Sequence, residues 1–250
     1  MSFMGTRTTL PADQVSALTA ELWQLGQEPL AADLMEAPVI RQIIDSSQHA
    51  GVAPQLRSLV ERIDALVPAD RRLFTASIDE VQVRSKLWLI DELTRGRDLH
   101  GTTLVVLGAW YGILPLLINL RVQRPPARMV CVDISAEAAG LGRRVIEPLF
   151  DNIEYQVADA MDLDYPAPEP SSVLVNTICE HLPDAPRWWA RVPRGQLTVL
   201  QSNNYNLCRD HVNCVEDIEQ MKAQTPMSEL LYQGTLKLPI FDRFMLIGYR

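Results

Sequence analysis

A glycine-flanked turn and three polar strand ends are spaced along this chain as an adenosine-bearing ligand would need them. Gly108 and Gly112 bracket the segment "GAWYG", and glycine lacks the Cβ that would hold a backbone away from a ligand. Asp133 ends the apolar run "RMVCVD" some twenty residues further on, where a carboxylate accepts from both hydroxyls of a ribose. Asp159, in "VADAMDL", is placed to accept from an adenine amino group. Ala109 in the turn, Ile134 after Asp133 and Ala160 after Asp159 complete the expected cofactor contacts. Asn176 ends "SVLVN", and Asn203 belongs to the donor- and acceptor-rich "QSNNYN". The uncharged donors and acceptors of that segment suit an amino-acid carboxylate or a neutral amine and are equally what a loop contains, while Asn176 by its position alone reads as a strand-end cap.

Two rings, Trp110 and Tyr111, fill the turn where nucleotide-binding chains usually carry small residues. They either pack the following helix or form an aromatic wall for a cation. An open G-x-G-x-x-G turn for a pyrophosphate is missing, which argues against a redox dinucleotide. His181 in "CEHLPD" and His211 in "RDHVNC" are the candidate bases, His181 also lying at the expected pocket rim. No Ser-His-Asp order or carboxylate pair points to hydrolysis. Cys208, His211 and Cys214 form a C-x-x-H-x-x-C cluster, but a structural zinc needs a fourth ligand and a familiar spacing, so no metal is expected.

The elements that would position these residues fall into two blocks. Residues 1–98 read as a helical bundle or cap: apolar residues recur at spacings of three and four in "LPADQVSALTAELWQL", "PVIRQIIDSSQHA", "PQLRSLVERIDALV" and the long run "ADRRLFTASIDEVQVRSKLWLIDELTRG". From Thr102 the period changes. "TTLVVLG" and "ARMVCVD" are continuous apolar runs of the kind that form parallel strands buried on both faces. "SAEAAGLGRRVIEPLF" follows as a helix capped by Ser135, and "NIEYQVADAMDL", "SSVLVNTICEHLPD" and "QLTVLQSNN" supply further strands. Alternating strands and helices over 99–250 predict a doubly wound α/β sheet with its ligand outside the carboxyl ends of the strands. After a helix at "CVEDIEQMKAQ", the segments "SELLYQGTLKL" and "RFMLIGYR" predict an antiparallel pair at the sheet edge.

A formal net charge of -8, with basic residues scattered, argues against nucleic acid as a partner. No run approaches the roughly 18 apolar residues of a membrane span, and no leader pattern stands at the N-terminus, so a soluble, cytoplasmic protein with a small-molecule ligand is expected. A homodimer is one oligomeric form open to it. Four scattered cysteines predict reduced thiols.

The motifs "VVLGAWYGILPLLI", "MVCVDIS", "QVADAMDL" and "VNTICEHLPD" resemble the successive motifs of class I S-adenosylmethionine-dependent methyltransferases over about residues 85–205. The resemblance implies a Rossmann-like α/β fold, a seven-stranded, mostly parallel sheet with an antiparallel C-terminal hairpin, with S-adenosylmethionine as cofactor, substrate or methyl donor. The family's G-x-G-x-G turn is replaced here by Gly108, Ala109, Trp110, Tyr111 and Gly112. An aromatic face within about 6 Å attracts a poorly hydrated sulfonium by about 0.5–2 kcal/mol, so Trp110 and Tyr111 would orient such a cofactor. Over the whole chain, the helical cap with "GAWYG", "NTICEHLPD", "QSNNYN", "HVNC" and "RFMLIG" is similar to bacterial azetidine-2-carboxylate synthases and related S-adenosylmethionine lyases. That likeness implies cyclisation of S-adenosylmethionine to azetidine-2-carboxylic acid and methylthioadenosine, with Trp110, Tyr111, Asn176 and Asn203 around the reacting chain. A small-molecule methyltransferase and a non-catalytic cofactor-binding member are the alternatives.

Overall fold

The computed structural model describes residues 52–250 apart from Asp79, 166–168 and Pro170. The helices expected between residues 11 and 50 lie outside the described residues. The chain divides into two compact units, Met1–Arg84 and Ser85–Arg250.

In the first unit, α1 (Val52–Asp64) buries Leu56, Leu59 and Ile63, an i, i+3, i+7 stripe. The long amphipathic run that follows forms two helices, α2 (Pro68–Ala76) and α3 (Glu80–Thr94), of which α3 belongs from Ser85 onward to the second unit. Ser77 accounts for the break. Its amide and its hydroxyl both donate to the Phe74 carbonyl, at 3.0 and 2.5 Å, which tightens the last turn of α2 and competes with continued α-helix.

The second unit carries the sheet: β1 (Thr103–Leu107), α4 (Ile113–Arg121), β2 (Arg128–Asp133), α5 (Ala136–Val145), β3 (Ile153–Val157), β4 (Ser172–Asn176), α6 (Ala185–Arg191), β5 (Leu197–Asn203), α7 (Ile218–Gln224), β6 (Glu229–Lys237) and β7 (Asp242–Tyr249). Short 3₁₀ turns occupy Glu147–Leu149 and Cys179–His181. The seven strands lie in the order β3-β2-β1-β4-β5-β7-β6. β1 to β5 run parallel, whereas β7 pairs antiparallel with both β5 and β6. This is the Rossmann-like fold of the class I methyltransferases, with the expected C-terminal hairpin. Strand order reverses beside β1, between its neighbours β2 and β4, and the carboxyl ends at such a switch point are where open α/β sheets bind their ligands.

Burial explains the strand composition. β5 is buried at every position and β7 at all but its ends, while the edge strand β6 alternates between half-buried and exposed residues. Trp188 on α6 is fully enclosed among Leu107, Leu174, Leu200 and Leu246, and burial of such a side chain contributes at least about 1.5–3 kcal/mol. Ser135 caps α5 as expected, its hydroxyl accepting from the Ala138 amide at 3.1 Å. Among the described residues no helix is long and apolar enough to cross a membrane.

One side chain fixes how α4 and α5 approach the sheet. Tyr155 of β3 donates its phenol to the Tyr111 carbonyl at 2.8 Å, and a Cβ at either Gly112 or Gly142 would overlap its ring or oxygen. Gly112 also has φ +90°, a left-handed conformation that costs other residues about 1–2 kcal/mol. Gly112→Ala is therefore expected to destabilise the chain by about 2–5 kcal/mol, strain and overpacking together. Adding Tyr155→Phe should return the overpacking part. Urea unfolding of the single and double variants measures both; simple additivity of the two losses would refute the steric account.

Candidate functional site

The turn after β1 is wound by three residues with positive φ: Gly108 at +61°, Trp110 at +52° and Gly112 at +90°. Trp110 is the only non-glycine residue with positive φ among those described, so a ring stands where the backbone itself resists it. Asp133 supplies the compensation. Its Oδ2 accepts from the Trp110 amide at 2.8 Å, and its Oδ1 accepts from the Ser135 amide at 2.9 Å. One carboxylate thus ties the β1–α4 turn to the β2–α5 turn. A carboxylate offers about four acceptor positions, so two remain for a diol.

The rings of Trp110 and Tyr111 stack, with centroids 4.7 Å apart and planes at 27°. Tyr111 is buried, and Trp110 is 38% exposed. Ile134, 69% exposed, and Val157, 45% exposed, follow Asp133 and end β3, so apolar surface lies open at the ends of β1, β2 and β3. Ala109 is buried inside the turn, its amide donating to the Val132 carbonyl at 3.1 Å. Asp159 folds its own loop, accepting the Met161 amide at Oδ1 (2.8 Å), while its Oδ2 has no partner among the described residues. Ala160 is held from behind by a relay: Trp188 donates to the Tyr165 phenol at 2.8 Å, which donates to the Ala160 carbonyl at 2.9 Å. Burial pushes the Tyr165 phenol up to about 12, so this relay stays protonated and donating throughout the neutral range.

Gly108 owes its type to a neighbour within the protein: a Cβ there would lie 2.6 Å from Ile178 Cγ1 and closer still to Cγ2. The sequence assigned that glycine to ligand approach; its Cβ space is filled by Ile178.

Asn176 is fully buried and sits in register between Leu107 of β1 and Leu200 of β5. Its Oδ1 accepts from the Ile178 amide at 2.9 Å, which fixes the orientation of the amide group. Its Nδ2 has no hydrogen-bond partner among the described residues, although a buried donor left unpaired costs about 1–3 kcal/mol. The Ser202 hydroxyl on β5, on the same sheet face by the two-residue period, is likewise buried and unpartnered among the described residues. Both are built to meet something polar.

Asn203 and His181 fall into a different constellation. Asn203 donates to Glu180 Oε1 at 2.5 Å and accepts from the Tyr205 amide at 2.8 Å, so both ends of its amide are taken within the protein. Arg243, its register partner on β7, donates to the same Glu180 oxygen at 2.7 Å, and pair and partner are all buried. Ser85 of α3 extends the network, accepting from Arg243 Nε at 3.2 Å and donating to Gln201 Oε1 of β5 at 3.2 Å. His181 lies edge-on to His211, with ring centroids 4.7 Å apart. Glu180 and Arg243 were not singled out in the sequence, whereas Ser202 was, within "QSNNYN"; the signal for the other two was an acidic residue and an arginine beside apolar runs, in "TICEH" and "DRFMLIG". Burial disfavours the thiolate of both buried cysteines, pushing Cys131 up to about 12 and Cys179 in the same direction.

No protein-family model matches this chain, and no curated protein matches it. Solved structures do. Geranyl diphosphate methyltransferase in complex with S-adenosylmethionine aligns at 16% identity over 74% of this chain and 92% of that one, with a TM-score of 0.50. The [4+2]-cyclase SpnF aligns at 12% identity over 68% and 82%, with a TM-score of 0.53. A possible exported protein from Bordetella parapertussis aligns at 12% identity over 98% and 99%, with a TM-score of 0.50. At these identities the likeness establishes the fold.

The Glu180–Arg243 pair carries a clear cost if broken. Arg243→Met leaves a buried carboxylate without its cation and is expected to lower unfolding stability by about 3–5 kcal/mol, whereas Arg243→Met with Glu180→Leu should recover most of it. Denaturant midpoints of the two variants give the answer, and equal losses would mean the charge pair is not the cause.

Proposed function

We propose that this chain is an S-adenosylmethionine-dependent enzyme that closes the cofactor's own methionine chain into azetidine-2-carboxylic acid, releasing methylthioadenosine. The observation that carries the cofactor assignment is the buried, unpartnered Asn176 amide beside the β1 turn, on a sheet whose next strand ends in Asp133. Asp133 would accept from the ribose diol, and Asp159 Oδ2 from the adenine amino group. Exposed Ile134 and Val157 give the adenine ring an apolar seat. Because Asn176 Nδ2 is a donor, it matches the carboxylate of the methionine moiety, and Ser202 is the second candidate for that group. Methyltransferases of this fold and the fold-related cyclase SpnF are the structural company in which such a reaction would sit.

In the reaction proposed, the lone pair of the neutral α-amine attacks the γ-carbon, a C–N bond forms as the γ-carbon–sulfur bond breaks, and the bonding pair leaves with sulfur. The positive charge moves from sulfonium to the ring ammonium, so no external base is needed once the amine is neutral. What the protein must supply is a folded chain and a site that excludes water. Trp110, at the mouth of the site, offers a ring face to the sulfonium; Tyr111, buried beneath it, holds that ring in place.

Methyl transfer to a small acceptor is the second reading, and the paired rings of His181 and His211 favour it, since an acceptor that must lose a proton needs a base. Incubating the purified chain with S-adenosylmethionine alone separates the two. Methylthioadenosine with an amino acid of the azetidine mass is the expected result; S-adenosylhomocysteine formed only after an acceptor is added would replace cyclisation by methyl transfer. Asp133→Ala, which loses charged hydrogen bonds of about 1.5–3 kcal/mol, should weaken cofactor binding by at least tenfold in calorimetry, and unchanged affinity would remove Asp133 from the site.

A further inference from the structure

We propose that Glu180, His181 and His211 form a binding site for a divalent first-row transition metal ion of the zinc type, at the carboxyl ends of β4 and β5. This site is independent of the cofactor assignment. The donor atoms of the three residues lie within 4.8 Å of one another. Two imidazoles and one carboxylate are a donor set suited to zinc and its neighbours in the series. Ligands on a tetrahedral ion with bonds of about 2.0–2.2 Å are roughly 3.3–3.6 Å apart, so the gap closes with about 1 Å of imidazole movement, and both rings are only half-buried.

The second observation comes from the carboxylate. Glu180 is buried, its Oε1 is occupied by Asn203 and Arg243, and its Oε2 has no hydrogen-bond partner among the described residues. A carboxylate oxygen taken out of water without a donor is costly, and a cation is the partner that best offsets the loss. The surrounding contacts also prepare the ligands. His211 Nδ1 lies 2.6 Å from the Tyr205 carbonyl, an atom that only accepts, so the proton is on Nδ1 and Nε2 presents its lone pair. Asn203 and Arg243 hold the carboxylate from behind in the same way.

The cysteine cluster divides accordingly. Of Cys208, His211 and Cys214, only the histidine joins the donor group. Cys214, with Sγ 3.8 Å from His211 Nδ1, donates to the Tyr205 carbonyl at 3.2 Å and remains a thiol. Three protein ligands leave one tetrahedral position for water or a substrate oxygen.

The test is calorimetric titration of the whole chain with Zn²⁺, paired with the visible and near-ultraviolet spectrum of the Co²⁺-loaded protein. One equivalent of Zn²⁺ should bind, with affinity at least tenfold lower in His181→Ala and in His211→Ala, each checked for folding by circular dichroism, and unchanged in Cys208→Ala. The Co²⁺ spectrum of the unaltered chain should show weak visible bands without an intense thiolate charge-transfer band. Substoichiometric binding, binding indifferent to both histidine replacements, or an intense charge-transfer band that disappears with Cys208→Ala or Cys214→Ala would each overturn the proposal.

Discussion

The interaction on which the upper rim of this sheet depends is the hydrogen bond from the Trp110 amide to the Asp133 carboxylate. A tryptophan held at φ +52° is strained, and only a strong local partner keeps it there. Because the same carboxylate also receives the Ser135 amide, β1, β2 and the starts of α4 and α5 are clamped by one charge. A ribose diol arriving at Asp133 would join a group already fixed by two backbone donors and lose little orientational entropy in doing so. On the proposed reading, structural and binding duties would fall on a single side chain.

The glycines around that clamp serve shape. Gly112 and Gly142 leave space for Tyr155, whose phenol reaches the Tyr111 carbonyl from the opposite side of the turn. Gly108 leaves space for Ile178, itself anchored by Asn176. The aromatic turn is thereby held by Tyr155 and Ile178, while Trp110 keeps more than a third of its surface exposed. Asn176 connects this framework to an unmet need: its oxygen holds Ile178, and its nitrogen is left without a partner among the described residues.

Beyond β4 the chemistry changes character. Glu180, Arg243, Asn203, Gln201 and Ser85 form a buried polar network, expensive to desolvate, that fastens α3 and the hairpin strand β7 to the crest of β5. Such a network specifies one arrangement at the expense of stability that an apolar core would have supplied. It also places the two histidines beside a carboxylate with an unsatisfied oxygen.

The sheet is legible in short segments of the chain. Apolar runs such as "TLVVL" and "MVCVD" have one low-energy solution, parallel strands buried on both faces, and the polar residues that stop them mark the carboxyl ends where Asp133, Asp159 and Asn176 stand. The Ser135 cap and the antiparallel hairpin were legible for the same local reasons. What those residues touch follows from packing across the folded sheet. That Gly108 yields to Ile178, seventy positions away, that Asn203 is consumed by Glu180, and that His211 comes beside Glu180 and His181 are consequences of strand register and packing between segments remote in the chain. Local pattern fixes which elements form, because period and burial are properties of short segments. Which polar atoms end up paired or orphaned depends on neighbours brought together by the sheet order, and no window of sequence contains them.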